Sequence, residues 1–309
     1  MNIVITGISG FVGKNLALKL VATGHKVMGI SRSKSYPATI TWDELDAANI
    51  HAKAWIHLAG KAHDLKNKSL ASDYNLINVG LTEKVFEAFM ADETATHFIF
   101  MSSVKAVASS VKGILKETDA FEVDNPYGAS KREAESYLQS KTLPAGKRLI
   151  ILRPCMIHGP GNKGNLNLLY SFLKNGMPYP LGAFENRRSY LSVGNLTEVI
   201  LNICEMDDFP AGTYNVADDE DLSTNDLVKL IGESIGKKGK IWNISPSIIQ
   251  FMAKAGDMLK LPLNSARLQK LTESYLVSND KIKLALGWER MPIAARDGLK
   301  ETIQSFNSK

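Results

Sequence analysis

Cysteine is scarce: Cys155 and Cys204 are the only two in 309 residues. A single pair makes no disulfide framework and suits a reducing compartment, so the cytoplasm is the expected location. Long apolar runs are missing as well, and no segment reaches the roughly 20 apolar residues that cross a bilayer. Met1 leads directly into Ile3-Val4-Ile5 without the basic and apolar stretches of a secretory leader, so neither secretion nor a membrane span is expected. Histidine is sparse too. His57 and His63 stand apart from any Cys or carboxylate cluster at ligand spacing; no metal site is expected, and His57 reads as a satisfied core residue. The net charge of +5 and pI of about 9.0 come from Lys and Arg spread along the chain. The one short basic run, Lys237-Lys238-Gly239-Lys240, reads as a solvated turn, which argues against a nucleic-acid partner. Internal repeats and low-complexity tails are absent.

What is present centres on Asn125-Pro126-Tyr127-Gly128-Ala129-Ser130-Lys131, where a phenol and an ammonium stand one helical turn apart. A phenol ionises near pH ~10, so it moves protons near neutrality only where a neighbouring cation favours the phenolate. Tyr137/Lys141 and Tyr170/Lys174 repeat the spacing and read as ordinary solvated helix faces. Tyr127 alone starts a helix behind a proline and follows an apolar strand, Phe98 to Met101, that ends in Ser102-Ser103.

Upstream, Ile3-Val4-Ile5-Thr6 reads as a strand and Gly7-Ile8-Ser9-Gly10-Phe11-Val12-Gly13 as a glycine turn. An amphipathic helix then runs to Ala22, and Gly24 closes it before the strand Val27 to Ile30. In this setting Gly7, Gly10 and Gly13 let a pyrophosphate approach the backbone at a helix N-terminus, which points to a bound dinucleotide. The second strand ends in Ser31-Arg32-Ser33-Lys34, where an NAD-binding chain usually sets an acid on the ribose. Ser31 and Arg32 suit the 2′-phosphate of NADP, a solvated loop being the plainer alternative.

Trp42-Asp43 marks the third strand. Ala54 to Gly60 is a buried strand whose end, Leu58-Ala59-Gly60, is small enough for a cofactor to lie across it. Residues 73–91 have helical spacing, with Leu76, Val79, Val85, Phe86 and Phe89 on the packing face and Asn78 the polar exception. Leu149 to Leu152 forms another strand, ended by Arg153-Pro154. The alternation predicts an α/β fold, a Rossmann-like doubly wound parallel sheet whose ligands bind beyond the strands' carboxyl ends. It breaks up past Gly159-Pro160-Gly161. Residues 1–164 are therefore expected to form a dinucleotide-binding domain, with later segments returning to it, and residues 165–309 mainly a smaller substrate-binding domain. Arg187 and Arg188 read as surface charge or as a diphosphate clamp. Ser223, Asp226, Gly236, Ser278 and Gly287 mark helix ends, and residues 248–261 read as a core-packed helix in preference to a membrane-surface one.

Taken together, Gly7-x-x-Gly10-x-x-Gly13, His57-Leu58-Ala59-Gly60, Asn78, Ser103, Tyr127-x-x-x-Lys131 and Arg153-Pro154 resemble the extended short-chain dehydrogenase/reductases. More narrowly, the chain is similar to the NAD-dependent epimerase/dehydratase family acting on nucleotide sugars, down to Ser278-Asn279-Asp280-Lys281-Ile282 and Leu286-Gly287-Trp288. The resemblance implies that Tyr127 is the acid/base, that Lys131 lowers its pKa and holds the nicotinamide ribose, and that Ser103 hydrogen-bonds the reacting oxygen. It implies cofactor contacts at Gly7, Gly10, Phe11, Val12, Gly13, Leu58, Ala59, Gly60, Asn78, Tyr127, Lys131 and Pro154, beside Ser31 and Arg32. Lys105, Asn165, Arg188 and Arg267 fall at positions for a sugar nucleotide.

Departures narrow the chemistry. Leu81 stands where the family commonly has Gly, Val107-Ala108 replaces Val-Tyr, and Asn195 replaces Asp. The family's 4,6-dehydratases resemble one another in a Thr-Asp-Glu whose acids remove water; Ser103-Val104-Lys105 lacks both, so chemistry at C4 alone is expected. The chain looks most similar to a bacterial subgroup of 4-epimerases and 4-keto-6-deoxy-hexosamine reductases for surface polysaccharides. The expected function is reduction of a 4-keto-6-deoxy-hexosamine nucleotide with NADP, or with NAD, on a UDP- or dTDP-sugar. The alternative is a UDP-sugar 4-epimerase resembling UDP-glucose 4-epimerase. A non-catalytic NAD(P)-sensing regulator has no need of the intact Ser, Tyr and Lys, and a steroid- or flavonoid-type reductase none of Arg188 and Arg267. The resemblance also implies a homodimer through the helices flanking the tyrosine.

Overall fold

The computed structural model describes residues 1–34, 38–61, 71–162, 164–259 and 264–307. Its strands are β1 (Asn2–Thr6), β2 (Lys26–Ser31), β3 (Thr39–Thr41), β4 (Ala54–His57), β5 (His97–Met101), β6 (Ile114–Leu115), β7 (Arg148–Pro154), β8 (Met156–His158), β9 (Arg187–Ser192), β10 (Gly212–Val216), β11 (Asp221–Ser223) and β12 (Leu276–Val277). The helices are α1 (Phe11–Ala22), α2 (Ala71–Asn78), α3 (Gly80–Ala91), α4 (Pro126–Gln139), α5 (Asn165–Lys174), α6 (Val193–Glu205), α7 (Thr224–Ser234), α8 (Pro246–Leu259), α9 (Ser265–Thr272), α10 (Asp280–Leu286) and α11 (Ala295–Asn307).

Strands buried on both faces read as continuous apolar runs, and those runs build one parallel sheet in the order β10-β7-β5-β4-β1-β2-β3. Side chains alternate across it. Ile3, Ile5, Ile56, Ile99 and Ile150 meet Leu16 and Leu20 of α1 and Val199, Ile200 and Ile203 of α6 on one face. Val4, Trp55, Phe98, Phe100 and Ile151 meet Val85, Phe86 and Phe89 of α3 and Leu138 of α4 on the other. The order reverses at β1, so a crevice opens beyond the carboxyl ends of β1 and β4, the usual place for a ligand in such a sheet.

The chain re-enters this sheet after residue 164: β10 pairs with β7 in register from Gly212↔Ile150 to Val216↔Pro154. A separate core joins Leu166 and Tyr170 of α5, Leu227 and Ile231 of α7, Ile249 and Ala253 of α8, Leu268 of α9 and Leu299 and Ile303 of α11. A three-stranded sheet, β11-β9-β8, leads from one core to the other.

Several local expectations are corrected. Residues 73–91 form two helices that break at Val79, and Leu76 lies exposed rather than on the packing face. The third strand ends at Thr41, just before Trp42. Asn279, not Ser278, is the N-cap of α10, with Ser278 bonded to Asp280 at 2.9 Å. Tyr170 is no solvated face: it is buried in the second core against Phe306. Helix α8 buries only Ile249, Ala253 and Gly256, and Ile248, Phe251, Met252, Met258 and Leu259 are exposed. His63 and Lys260 lie outside the described residues.

Candidate active site

The glycine turn between β1 and α1 is drawn in by contacts that only glycine allows. Gly7 has φ of 71°, and a Cβ there would sit 2.9 Å from the Ala59 nitrogen; one on Gly13 would meet the Gly7 oxygen at 2.4 Å. Gly10 is the N-cap of α1 and no side chain caps that end, which leaves a helix N-terminus fitted to a phosphate. The residues present thus fit a dinucleotide. At the end of β2, Ser31 is buried with its hydroxyl donating to the Ser33 carbonyl at 2.5 Å, so the residue left to face a ribose substituent is exposed Arg32.

Beneath the turn runs a continuous hydrogen-bonded relay. The Ala59 amide donates to Thr6 Oγ1 (3.1 Å), which lies 2.6 Å from His57 Nδ1. On the other side of the ring, Nε2 lies 3.0 Å from Thr82 Oγ1, which donates to the Asn78 carbonyl at 2.6 Å. Since the Thr82 hydroxyl spends its proton on Asn78, Nε2 carries the imidazole hydrogen and Nδ1 accepts from Thr6. His57 is wholly buried; burial, with the Lys131 charge second, drives its pKa down to about 3, so it is neutral. It is a core residue that fixes the Leu58-Ala59-Gly60 segment against α2. Among the described residues, no three His, Cys, Asp or Glu side chains group as a metal site.

Asn78 serves the same segment. Its Oδ1 accepts from the Lys61 amide (2.7 Å) and its Nδ2 donates to Ser130 Oγ (2.9 Å), tying the loop after β4 to α4. Being spent on these partners, the amide shapes the cofactor crevice from behind. Gly60 closes against it: a Cβ there would be 2.9 Å from Asn78 Oδ1 and 3.2 Å from Lys131 Nζ.

Asn125 caps α4 by accepting from the Gly128 amide at 2.6 Å, with Pro126 in the first turn. A Cβ on Gly128 would meet the Lys105 carbonyl at 2.1 Å, so glycine at this position lets α4 lie directly on the turn that carries Ser103. Arg132 then clamps the turn, donating to the carbonyls of Ala106 (2.7 Å), Val107 (2.9 Å) and Phe121 (2.6 Å). One turn beyond Lys131, buried Glu135 takes Arg153 (Nε to Oε1, 2.9 Å) and the Ser102 hydroxyl. Gly128, Arg132, Glu135 and Tyr275 are the residues that the sequence reading missed. Glu135 continues the i, i+4 series Tyr127, Lys131, Glu135, the one available signal; the others act through backbone carbonyls distant in sequence.

This scaffold brings Ser103, Tyr127 and Lys131 together. Tyr127 stands beside Ser103, whose hydroxyl favours the phenolate, and Tyr74 lies edge-on to it at 6.4 Å between rings. Burial raises the Tyr127 pKa above the ordinary phenol value, the Ser103 hydroxyl opposing. Lys131 is buried, donates to the Met101 carbonyl at 2.8 Å and lies 4.8 Å from the Phe100 ring centre. Burial pulls its pKa down to about 8, with Glu135 acting against it. Pro154 ends β7, buried beside Val216 of β10.

The substrate candidates fall on the side of the second core. Lys105 Nζ donates to the Ser109 carbonyl (2.7 Å) and lies 4.1 Å from the Tyr275 ring centre, and burial lowers its pKa, with Glu273 opposing and Arg188 contributing. The Tyr275 hydroxyl donates to the Ala108 carbonyl at 2.8 Å, so this phenol covers the 104–108 turn. Arg188 reaches the end of α9, donating to the carbonyls of Glu273 (3.2 Å) and Lys270, while its neighbour Arg187 turns away to Asp221. Arg267 is exposed on the first turn of α9. Asn165 is the first residue of α5, and its side chain lies outside the described residues. Asn195, found where Asp was expected, donates to buried Asp218 at 2.7 Å; a second carboxylate there would face the first across a buried contact.

A glycine turn feeding a helix, opposite a Ser-Tyr-Lys set at the carboxyl ends of a parallel sheet, defines an extended short-chain dehydrogenase/reductase. The chain belongs to the NAD dependent epimerase/dehydratase family, whose profile matches residues 3–217, and it is an NAD(P)-dependent enzyme of the epimerase and reductase kind. It is 27% identical to the UDP-glucose 4-epimerase of Vibrio cholerae, over 99% of this chain and 95% of the relative. It is 32% identical to the N-acetyl-alpha-D-glucosaminyl-diphospho-ditrans,octacis-undecaprenol 4-epimerase of Escherichia coli O157:H7, over 98% of this chain and 94% of the relative. In fold it is similar to the human epimerase family protein SDR39U1 with NADPH, with a TM-score of 0.77 and 20% identity over 98% of this chain and 99% of the other.

Proposed function

We propose that this enzyme reduces the 4-ketone of a 4-keto-6-deoxy-hexosamine carried on a UDP or dTDP diphosphate, for surface polysaccharide synthesis in the cytoplasm. The observation that carries the reading is the meeting of the Tyr127 phenol, in the first turn of α4, with Ser103 beyond the end of β5 and with Lys131 one turn further along the same helix. A protonated phenol is a donor, which is what a ketone oxygen requires as it becomes an alkoxide. The dinucleotide, when bound, supplies the hydride. Gly7, Gly10, Phe11, Val12 and Gly13 would hold its phosphates, Arg32 its 2′-phosphate, and Leu58, Ala59, Gly60 and Pro154 its flank. Asn78 and His57 keep that flank in place. Ser103 holds the ketone oxygen while Tyr127 delivers the proton, and Lys131 stabilises the phenolate left behind.

Val104 and Lys105 supply no acid to remove water, which supports one-carbon chemistry over dehydration. Lys105, Asn165, Arg188 and Arg267 are proposed to face the sugar diphosphate. The dinucleotide falls to residues 1–164 with the returning segments, and the sugar mainly to the remainder. A second reading, epimerisation at C4 of a diphosphate-linked sugar, is favoured by the two relatives above. Both readings use one proton carrier and one hydride carrier, and they differ in turnover of cofactor. Supplying a UDP-4-keto-6-deoxy-hexosamine with C4-labelled NADPH should consume NADPH one for one and leave the label on sugar C4. Interconversion of UDP-glucose and UDP-galactose at catalytic cofactor, with no net NADPH loss, would replace this reading with the epimerase.

A further inference from the structure

Helix α8 is attached by a stripe too narrow for its composition. Ile249, Ala253 and Gly256 lie about one or two turns apart and face inward, two of them small. The large side chains are outside. Ile248, Phe251, Met252, Met258 and Leu259 are between 51% and 86% exposed. At about 100° per residue they occupy one continuous sector, Met252, Leu259 and Ile248 bordering the buried stripe and Phe251 and Met258 beyond them. Ser247, Gln250, Lys254 and Asp257 fill what remains. Single exposed apolar residues need no explanation, but five along one side of one helix do.

The same segment holds the chain's excess charge. Residues 234–272 contain seven Lys and Arg against one acid, Asp257, whereas the whole chain is only +5. Everything outside the segment is therefore slightly acidic, although no run of basic residues within it is long enough to stand out. An apolar sector carried by a segment this rich in positive charge is complementary to one kind of surface, an anionic bilayer, which offers acyl chains for the former and phosphate for the latter. A second copy docking by the same face would set like charge on like charge. A polyanion without lipid would have no use for Phe251, Met252 and Met258.

We propose that α8 docks this protein peripherally on an anionic phospholipid surface, with Phe251, Met252, Met258, Leu259 and Ile248 entering the boundary between headgroups and acyl chains. Asp257 accepts from Ser265, by its amide at 3.0 Å and its hydroxyl at 2.5 Å, so α8 is tied to α9, whose far end Arg188 holds. The docked protein thus presents to the lipid the side on which the sugar diphosphate is proposed to bind. Docking does not depend on which sugar is turned over, and its test needs no substrate.

The full chain, incubated with vesicles of phosphatidylglycerol and phosphatidylethanolamine, should sediment with them at low salt. Vesicles of phosphatidylcholine alone should leave it in solution. Replacing Phe251→Asp together with Met258→Asp should weaken vesicle binding more than about tenfold, and Lys254→Glu about fivefold or more. Melting temperature and activity in lipid-free buffer should be unchanged, because these side chains are exposed. Equal binding of wild type and the Phe251/Met258 variant, or no binding to anionic vesicles, overturns the proposal. So does a dimer in sedimentation velocity that the variant abolishes while lipid binding is absent, since the face would then join two copies.

Discussion

Tyr127 differs from the other two tyrosines of the same spacing by what surrounds its oxygen. Tyr137 packs its ring on Phe86, and Lys141 falls beyond the end of α4, while Tyr170 belongs to the second core. Only Tyr127 stands beside the Ser103 hydroxyl. Tyr127→Phe should lower kcat by about 10²–10⁴-fold with sugar-nucleotide affinity nearly intact, since only the transferable proton is lost. Tyr137→Phe and Tyr170→Phe should leave kcat within about twofold; a comparable loss in either would end the assignment. Lys131 carries a pH signature. Its folded pKa of about 8 lies below the ordinary lysine value of 10.5, so between these values the unfolded chain binds a proton that the folded chain has released. Stability from this group therefore rises from pH 8 toward 10.5 and is lost as pH falls through 8. Denaturant unfolding of wild type against Lys131→Met should show the wild type gaining up to about 3 kcal/mol over that window. A pH-independent difference would show that the buried amine keeps its proton. The meeting of Ser103, Tyr127 and Lys131 was readable because Ser103 follows the end of β5, Tyr127 stands in the first turn of α4, and Lys131 lies one turn on along the same helix face. The relay through His57 was not, since its bonds span 51 and 25 residues and involve threonines that no spacing rule marks.

Among elements, the loop after β2 makes the sharpest commitment. Ser31 is used internally and Arg32 is exposed, so the proposed preference for NADP rests on one guanidinium. A charge-assisted contact of that kind is worth ~1.5–3 kcal/mol, about ten- to a hundredfold in affinity. Arg32→Asp should reverse the order of NADP and NAD dissociation constants measured by titration; two equal constants, unmoved by the change, would mean that the loop reads no phosphate. Buried strands were readable because both faces are apolar. The break between α2 and α3 was not, because the apolar spacing of residues 73–91 continues through Val79, whose own backbone dihedrals stay helical. Helix α8 shows the other limit: periodicity tells which residues are apolar, and only the assembled fold tells whether anything covers them.

At the scale of the molecule, strand and helix alternation announced the doubly wound sheet, and the sequence of the first 154 residues supplies six of its seven strands. What pattern could not reveal is which later segment completes it. Gly212–Val216 has no more strand character than its neighbours, and its place is settled by β7, whose outer edge it covers, and by Tyr214, which packs on Phe209 in the first core. That late closing strand has a consequence for how the protein is made. When Pro154 leaves the ribosome, β7 is seven residues of open edge, and it stays open until Val216 follows roughly 60 residues later. At about 5–20 residues per second this is a delay of several seconds in which the nascent chain displays an unpaired apolar strand. A chain stalled just far enough past residue 154 to free β7 from the exit tunnel should therefore be captured by chaperones and remain protease-sensitive, and one ending far enough past residue 216 to free β10 should become resistant. Protection already present in the shorter chain would mean that the six-stranded sheet stands without its last strand.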